Sequence, residues 1–469
     1  MRKNKVCNRI FSPFTLMIAG ILWVCLVLLP TVAVSVATEV PKQIKVEQIT
    51  KAKQLKTNRG IKLFFIKNGG APLVHIIINF RNSGTAYLEK TKAGIPTLYE
   101  YTFCCGCGKY SQSQITKALN DISCDVACNI NEDSLSFSIT MPQAVMQTAI
   151  PLVCCLINEP SFEENDVKNL QIKLPGPHRI TSDPINTAVH TIIPSLIFES
   201  HPYGNGIYGE DEDFINLTID DLRKYKDKFL TIANAEVCVC GNLTEPEAIQ
   251  LVDQIFSKTK KGEKNADIVV DVVPKIKSHV RYNYVDSPMS TIVFVQKGAS
   301  IKSSKRYAAL LLHHIIGAPG LFRSRMLSTL RIQLGLIYSG SVSSMHLLHA
   351  DFCFGILQTS NSNVKKTLDA VKNILKQVRN GDITQSDLDF VKHNIKGKIL
   401  VNLRTTEAIC NFFYNAMAHD LGENALEDFI NGIEAVKLED VHAVAQELID
   451  DDNILYIVIG GKCKEKTTL

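Results

Sequence analysis

The sequence has almost no imbalance between basic and acidic residues. It contains 51 Lys and Arg against 47 Asp and Glu. Four of the basic residues, at positions 2, 3, 5 and 9, lie in the first 37 residues, where no acidic residue occurs, so the rest of the chain has 47 of each. Binding of nucleic acid or of an anionic surface depends on a clear basic excess. We therefore expect no nucleic-acid partner.

The sequence also lacks low-complexity tracts and the paired C-x-x-C spacing of structural zinc sites. Twelve of its 14 cysteines follow residue 37. Cys104, Cys105 and Cys107 form a cluster with one C-x-x-C, from Cys104 to Cys107, but no second C-x-x-C occurs to pair with it. Cys238 and Cys240 lie in an apolar strand pattern where small buried thiols are common. In an exported protein, disulfides remain an alternative for these cysteines.

An export segment is predicted at the N-terminus. Four cations precede an uncharged run from Ile10 to Thr38, and the small residues Ser35 and Ala37 occupy positions that an export peptidase prefers. The run is also long enough to span a bilayer. Residues 1–37 are therefore interpreted as a signal peptide or, if uncleaved, a membrane anchor, which is the only membrane contact expected.

Two distant segments of the sequence share one pattern at a fixed offset. Asp221, Asn234 and Gly241 recur 219 positions later in the segment from 440 to 460, each time as an amphipathic helix followed by an apolar strand that ends at glycine. A repeat of this length indicates two copies of one mixed unit.

Strand patterns grouped with helices, without strict alternation, predict an α+β fold with two homologous domains. Each domain is expected to be an antiparallel-rich sheet packed with helices. The predicted boundaries are an N-terminal lead-in at 38–60, a first domain at 61–257, a linker at 258–275 and a second domain at 276–463.

The chain resembles the M16 metallopeptidases, the family of pitrilysin and insulin-degrading enzyme, over about residues 45–462. The resemblance rests on the segment SHPYGNGIYGEDEDFINLTIDDLRKYKDKFLTIANAEVCVCGNL in the first half. In the second half it rests on SRMLSTLRIQLGLIYSGS and on the helix KLEDVHAVAQEL. It implies that the two domains form half of a clamshell.

The first half of that family carries an inverted zinc motif, His-x-x-Glu-His, on one helix, and a glutamate on a later helix is the third ligand. By resemblance, the matching positions here are Thr97, Glu100 and Tyr101, so both histidines are replaced. The region of the third ligand reads QIKLPGP from Gln171, with no glutamate from Asn165 to Phe198. Hydroxyl groups are poor zinc ligands. We therefore expect no intact catalytic residue, no metal and no cofactor in this chain, with zinc only in a partner subunit.

The second half keeps two residues that the family supplies across the cavity. By resemblance, Arg331 and Tyr338 match the arginine and tyrosine that hold the substrate backbone and stabilise the oxyanion. The alternative interpretation is that both residues only stabilise the fold. The alternating strand around Asn131 to Thr140 corresponds to the edge strand of the family that binds extended peptides.

The resemblance therefore predicts an exported, bacterial, non-catalytic subunit, located in the periplasm or anchored facing it. Its expected partners are a zinc-bearing M16 homologue, with which it forms a heterodimer, and a peptide or unfolded protein substrate. A pseudopeptidase that binds peptides or organises a complex is the first alternative. An active zinc peptidase with an atypical ligand set is the second, although His75, His178, His313, His314, His346 and His349 have no spacing that supports one.

Overall fold

A computed structural model describes residues 51–174 and 184–461. The predicted export segment, most of the lead-in, His178, the prolines at 175 and 177, and the end of the second domain beyond 461 lie outside the described residues. Within the described part of the chain, no helix has both the length and the apolar character that a membrane crossing requires.

The described chain alternates between strands and helices. The strands are β1 (Lys53–Lys56), β2 (Lys62–Lys67), β3 (Leu73–Arg81), β4 (Gly106–Cys107), β5 (Tyr110–Ser111), β6 (Asp125–Ile130), β7 (Ser134–Pro142), β8 (Ala235–Gly241), β9 (His279–Tyr284), β10 (Met289–Lys297), β11 (Ile337–His346), β12 (Asp351–Ser360) and β13 (Leu455–Gly460).

The α-helices are α1 (Ile95–Thr102), α2 (Gln112–Asp121), α3 (Met146–Asn158), α4 (Glu164–Lys173), α5 (Pro184–Thr187), α6 (Ile193–Ile197), α7 (Asp211–Phe214), α8 (Ile219–Phe229), α9 (Glu245–Ile255), α10 (Arg306–Gly317), α11 (Val364–Arg379), α12 (Gln385–Asn402), α13 (Thr406–Ala418), α14 (Ala425–Ala435) and α15 (Leu438–Leu448). Two π-helical segments span Ala188–Ile192 and Met326–Gln333.

The two larger sheets have the same topology. The first has the order β1-β2-β8-β3-β7-β6, and the second has the order β9-β13-β10-β12-β11. Without β1, the five strands of each half are connected in the same sequence, and in both sheets the first and last strands of the half form the one parallel pair. The predicted α+β fold with a duplicated, antiparallel-rich unit is therefore confirmed.

The duplicated helix begins in the same way in both halves. α8 and α15 start 219 residues apart, and each has an aspartate at its third position, Asp221 or Asp440. The carboxylate of each aspartate accepts a hydrogen bond from the backbone N–H of the residue before the helix, at 2.9 Å for Thr218 and 2.8 Å for Lys437. In α8 the Thr218 hydroxyl also accepts from the backbone N–H of Asp221 at 3.1 Å, which completes a capping box, whereas the Lys437 side chain has no acceptor for the corresponding bond in α15. In both helices the aspartate fixes where the helix starts. The repeated aspartate in the sequence therefore marks a helix terminus and not a site.

The halves are interlocked by α13, which belongs to the second half but packs on β3 and β8 of the first sheet. The Tyr414 hydroxyl donates to the Asn79 side-chain oxygen at 3.1 Å. At the end of the helix, the Arg81 guanidinium lies 3.3 Å from Glu236 and 3.4 Å from Asp420. This cover explains why every residue of β8 is buried, because a strand covered on both faces is largely apolar, with Glu236 paired to Arg81 as the exception.

A second joint connects the turn before β7 with the turn between β11 and β12. The Tyr203 hydroxyl donates to one oxygen of Asp133 at 2.6 Å, and the backbone N–H of Leu348 donates to the other at 2.9 Å. The His349 backbone N–H also donates to the Tyr203 hydroxyl at 3.2 Å. Asp133 is buried, and this burial raises its pKa to about 6.

The segment predicted as a linker is fastened to both halves by hydrogen bonds. The Asn265 side chain donates to the carbonyls of Arg81 and Asn82 at 3.3 Å, and the backbone N–H of Val272 donates to the His349 carbonyl at 2.9 Å. Within the predicted lead-in, residues 53–56 form β1 against β2. The structure therefore assigns defined positions to both connecting segments.

Candidate functional site

The helix that corresponds to the zinc motif is α1, and its first candidate residue is fully engaged in packing. Thr97 is completely buried, and its hydroxyl donates a hydrogen bond to the carbonyl of Ile207. Pro96 in the first turn favours the start of this short helix, which packs on α8 and β6. The Thr97 side chain thus holds a loop in place and has no freedom to serve as a ligand.

Glu100 and Tyr101 lie on the next turn of α1. Burial raises the pKa of the Glu100 carboxyl to about 7, because the charged form loses hydration there. The Tyr101 side chain is exposed, and its carbonyl accepts a weak hydrogen bond from the Cys105 thiol at 3.6 Å. The three motif positions therefore provide the Thr97 hydroxyl, which already donates a hydrogen bond, the Glu100 carboxyl, which is about half-protonated at neutral pH, and the exposed Tyr101 phenol.

The region predicted for the third ligand is used to bind backbone. The side-chain nitrogen of Gln171, on α4, lies 2.8 Å from the carbonyl oxygen of Leu217, 3.0 Å from that of Ile215 and 3.3 Å from that of Phe214. A glutamate would place a carboxylate against these three oxygens. Gln171 therefore fastens the loop before α8 to α4, a role that its sequence pattern did not reveal.

These residues do not fit a catalytic zinc ion. A catalytic zinc site needs three nitrogen, sulfur or carboxylate ligands with one open position. The Thr97 hydroxyl donates a hydrogen bond to a carbonyl, and Gln171 directs its amide nitrogen towards carbonyl oxygen atoms. Over residues 51–174 and 184–461, no three His, Cys, Asp or Glu side chains are grouped closely enough to hold a metal ion.

The histidines considered from the sequence have protein partners where they are described. His75 contacts Thr140 at 2.8 Å, and burial lowers its pKa to about 4. His313 contacts Ser344 at 2.9 Å, and burial lowers its pKa to about 3. Neutral, buried and hydrogen-bonded imidazoles of this kind are structural. His346 and His349, similarly, contact aspartates at 2.5 and 2.9 Å.

Arg331 and Tyr338 are brought together on the surface of the second half. Arg331 lies in the π-helical segment Met326–Gln333, and Tyr338 is near the start of β11. The guanidinium carbon of Arg331 is 5.6 Å from the Tyr338 ring centroid and 5.2 Å from that of Phe322, so the cation is held between two aromatic rings. Gly335, with a φ of 60°, forms the turn that brings the two residues together.

The surroundings of Arg331 are exposed and apolar. Tyr338 is 68% exposed, and Phe322, Ile332 and Leu334 are each more than half exposed. No acidic side chain in the described part of the chain forms an ion pair with Arg331. We call Phe322, Arg331, Ile332, Leu334 and Tyr338 the arginine patch. Exposed apolar side chains close in sequence or in space to an available donor are typical of a binding surface.

The prediction that the strand around Asn131 to Thr140 lies at the edge of the sheet is wrong, because this strand, β7, is one position inside the edge. β7, which contains the alternating serines, is paired on both sides, with β3 and with β6. The edge next to β7 is β6, whose outer side has no neighbouring strand among the described residues; β1 forms the opposite edge. The period-2 spacing of Val126, Cys128 and Ile130 predicts a strand at this position, but it does not identify an edge of the sheet.

Together, the duplicated two-sheet fold, the engaged Thr97 and the exposed Arg331 define a class, the peptidase-like proteins that have a peptidase fold without its metal ligands. Comparison with known proteins agrees. Residues 216–395 match the peptidase M16 inactive domain family. A solved structure of a peptidase M16 inactive domain from Pseudomonas fluorescens superposes with a TM-score of 0.77 at 18% identity, covering 89% of this chain and 100% of that one.

Two curated relatives come from Helicobacter pylori. The non-peptidase homolog YmxG is 20% identical over 408 residues, which covers 87% of this chain and 93% of the relative. The zinc protease PqqE is 22% identical over 253 residues, which covers 54% of this chain and 57% of the relative. The chain is therefore similar to M16 peptidase homologues over most of its length, and the resemblance inferred from its sequence is confirmed.

Proposed function

We propose that the chain is the non-catalytic subunit of a heterodimeric zinc peptidase. It pairs with a zinc-bearing M16 homologue, helps to hold a peptide or unfolded protein, and directs Arg331 and Tyr338 into the partner's active site. The observation that supports this most directly is the arginine patch, where a guanidinium without an acidic partner in the described chain is exposed beside a tyrosine.

The chemistry of these two side chains suits that role. A guanidinium and a phenol are directed hydrogen-bond donors. Donors placed where negative charge develops on a peptide carbonyl stabilise the transition state, and the loss of one such donor costs about 100-fold or more in rate. The aromatic rings of Phe322 and Tyr338 restrict the guanidinium before substrate binds, which lowers the ordering cost.

The test is to co-express the chain with a zinc-bearing homologue and measure peptide cleavage by the purified pair. Arg331→Ala and Tyr338→Phe should each lower kcat/KM by about 100- to 1000-fold while the pair still co-purifies. Arg323→Ala is the matched control, because Arg323 is also stacked on an aromatic ring, Phe390, at 4.5 Å, but lies outside the patch. Unchanged kcat/KM in both patch variants would refute the assignment.

The pairing itself is supported by the family. Helicobacter pylori has both a protein named as a non-peptidase homologue and one named as a zinc protease among the relatives of this chain. In the proposed heterodimer, zinc belongs to the partner alone. Elemental analysis of this chain, purified without a partner and passed through gel filtration, should therefore find less than about one-tenth of a zinc ion per chain. About one zinc ion per chain would instead support an active peptidase with an atypical ligand set.

The second candidate is a pseudopeptidase that binds peptides without supporting hydrolysis. The open edge of β6 favours it, because an extended peptide can add as another strand there. Isothermal titration of the chain alone with unstructured peptides distinguishes the two functions. Peptide binding without any active partner, together with unaffected binding in Arg331→Ala, would favour the pseudopeptidase.

We also propose export to the periplasm, with residues 1–37 as a cleaved signal or an anchor. The support is the sequence alone, namely four cations followed by the apolar run. Fusion of residues 1–60 to alkaline phosphatase should give periplasmic activity in a bacterial host. Mass measurement of the mature chain would then distinguish cleavage from anchoring.

A further inference from the structure

Two cysteines from different halves of the chain meet beneath the crossing helix. Cys238 is in the central part of β8, and Cys410 is on α13. The Cys238 thiol lies 3.6 Å from the carbonyl oxygen of Cys410, and the Cys410 thiol lies 3.6 Å from the carbonyl oxygen of Cys238. This reciprocal arrangement places the two side chains against each other.

Each thiol therefore lies against the backbone of the other cysteine. Both cysteines are fully buried, and they are separated by 172 positions in the sequence. The contact lies among other connections between α13 and the first sheet, such as Tyr414 to Asn79. The pair thus lies where one bond would connect the crossing helix to the middle of the sheet.

We propose that Cys238 and Cys410 form a disulfide that fastens the second half of the chain to the first. The oxidant is a disulfide of the glutathione or thiol-oxidoreductase class. One thiolate attacks the oxidant's disulfide and forms a mixed disulfide, and the second thiolate then displaces the remaining oxidant thiol. Two protein thiols and one oxidant disulfide become one protein disulfide and two oxidant thiols.

Burial determines when this reaction takes place. Burial raises the pKa of Cys410 well above its ordinary value, so the folded, reduced chain holds few thiolates at this position. Exchange therefore proceeds before α13 has docked on β8, while the chain folds in an oxidising compartment. Closure of a loop of this length removes much of the freedom of the unfolded chain, so the oxidised protein should melt at a temperature about 5 °C or more above that of the reduced protein.

The test uses the full chain, unfolded with reductant and refolded in a buffer of reduced and oxidised glutathione. Free thiols are then alkylated in denaturant, and the linked peptides are identified by mass spectrometry without reduction. We expect a linked peptide that contains Cys238 and Cys410, a faster-migrating band on a non-reducing gel, and the rise in melting temperature. A reduced sample should show none of these.

Cys238→Ala and Cys410→Ala should each abolish the fast band and the rise in melting temperature. Cys353→Ala is the matched control, because Cys353 is a buried strand cysteine whose thiol makes no contact with another cysteine among the described residues, and it should retain both. If the variants fail to fold, peptide mapping of the unmodified chain decides alone. Alkylation of both cysteines after oxidative refolding would overturn the proposal, as would a linkage confined to other cysteines.

Discussion

Gln171→Glu tests whether the Gln171 side chain, in the region predicted for the third zinc ligand, stabilises the fold by donating hydrogen bonds to backbone carbonyls. In the native protein, the side-chain amide of Gln171 has two hydrogens for three carbonyl oxygens at 2.8 to 3.3 Å. Two such bonds contribute about 1 kcal/mol each. A carboxylate removes both donors and faces three oxygens with a negative charge.

The expected loss at pH 7 is about 2 to 3 kcal/mol in the free energy of unfolding, with the electrostatic part reduced because Gln171 is half-buried. The carbonyl dipoles should raise the pKa of the introduced carboxyl above its ordinary value of about 4.3. The native state then holds the proton to higher pH than the unfolded state. The penalty is therefore small below about pH 4 and grows as the pH rises through the raised pKa.

Urea unfolding at pH 4 and pH 7 measures this difference. Gln171→Met is the control, since it removes the donors without adding charge and should cost about 1 to 2 kcal/mol at both pH values. The reasoning fails if Gln171→Glu is as stable as the native protein at pH 7. It fails equally if the glutamate and methionine variants lose the same stability at both pH values.

Three further predictions concern the fold. Burial raises the pKa of Asp133 from 3.8 to about 6, so this residue stabilises the native state fully below about pH 4 and loses that effect as the pH rises through 6. The free energy of unfolding should fall by about 3 kcal/mol over this range, and Asp133→Asn should abolish that pH dependence. Arg81→Ala should cost about 1 to 3 kcal/mol by leaving the buried carboxylate of Glu236 poorly paired, whereas Lys53→Ala, which breaks an exposed pair, should change the unfolding free energy by less than about 0.5 kcal/mol. In thermal unfolding, Gly432→Ala should cost about 2 kcal/mol or more, because the added carbon would lie 2.0 Å from the Tyr307 ring, whereas Gly397→Ala, in an open helical position, should stabilise by about 0.5 kcal/mol.

Much of the fold was predictable because the repeated pattern is local. The helix caps at Asp221 and Asp440, and the apolar strands that follow them, are encoded within short segments whose periodicity reports burial directly. The replacement of the two motif histidines by Thr97 and Tyr101 was also predictable, because residue type is read directly from the sequence. No tertiary arrangement can supply the two missing imidazole side chains to that helix.

The position of each strand within its sheet was not predictable in the same way. The serine alternation of β7 describes a strand with two unlike faces, but it does not specify what pairs on either side. Pairing depends on contacts between residues far apart in the sequence. For that reason the edge was predicted at β7, whereas β7 is an inner strand and β6 lies at the edge of the sheet.

The sequence by itself determined the duplication, the loss of the metal ligands and the presence of Arg331 and Tyr338, because each is a matter of residue type or of short-range spacing. Only the tertiary structure decided that Gln171 binds three carbonyls, that Phe322 and Tyr338 flank Arg331, and that α13 crosses to the first sheet. These arrangements join segments separated by tens to hundreds of residues. Chain folding creates them, and no local pattern records them.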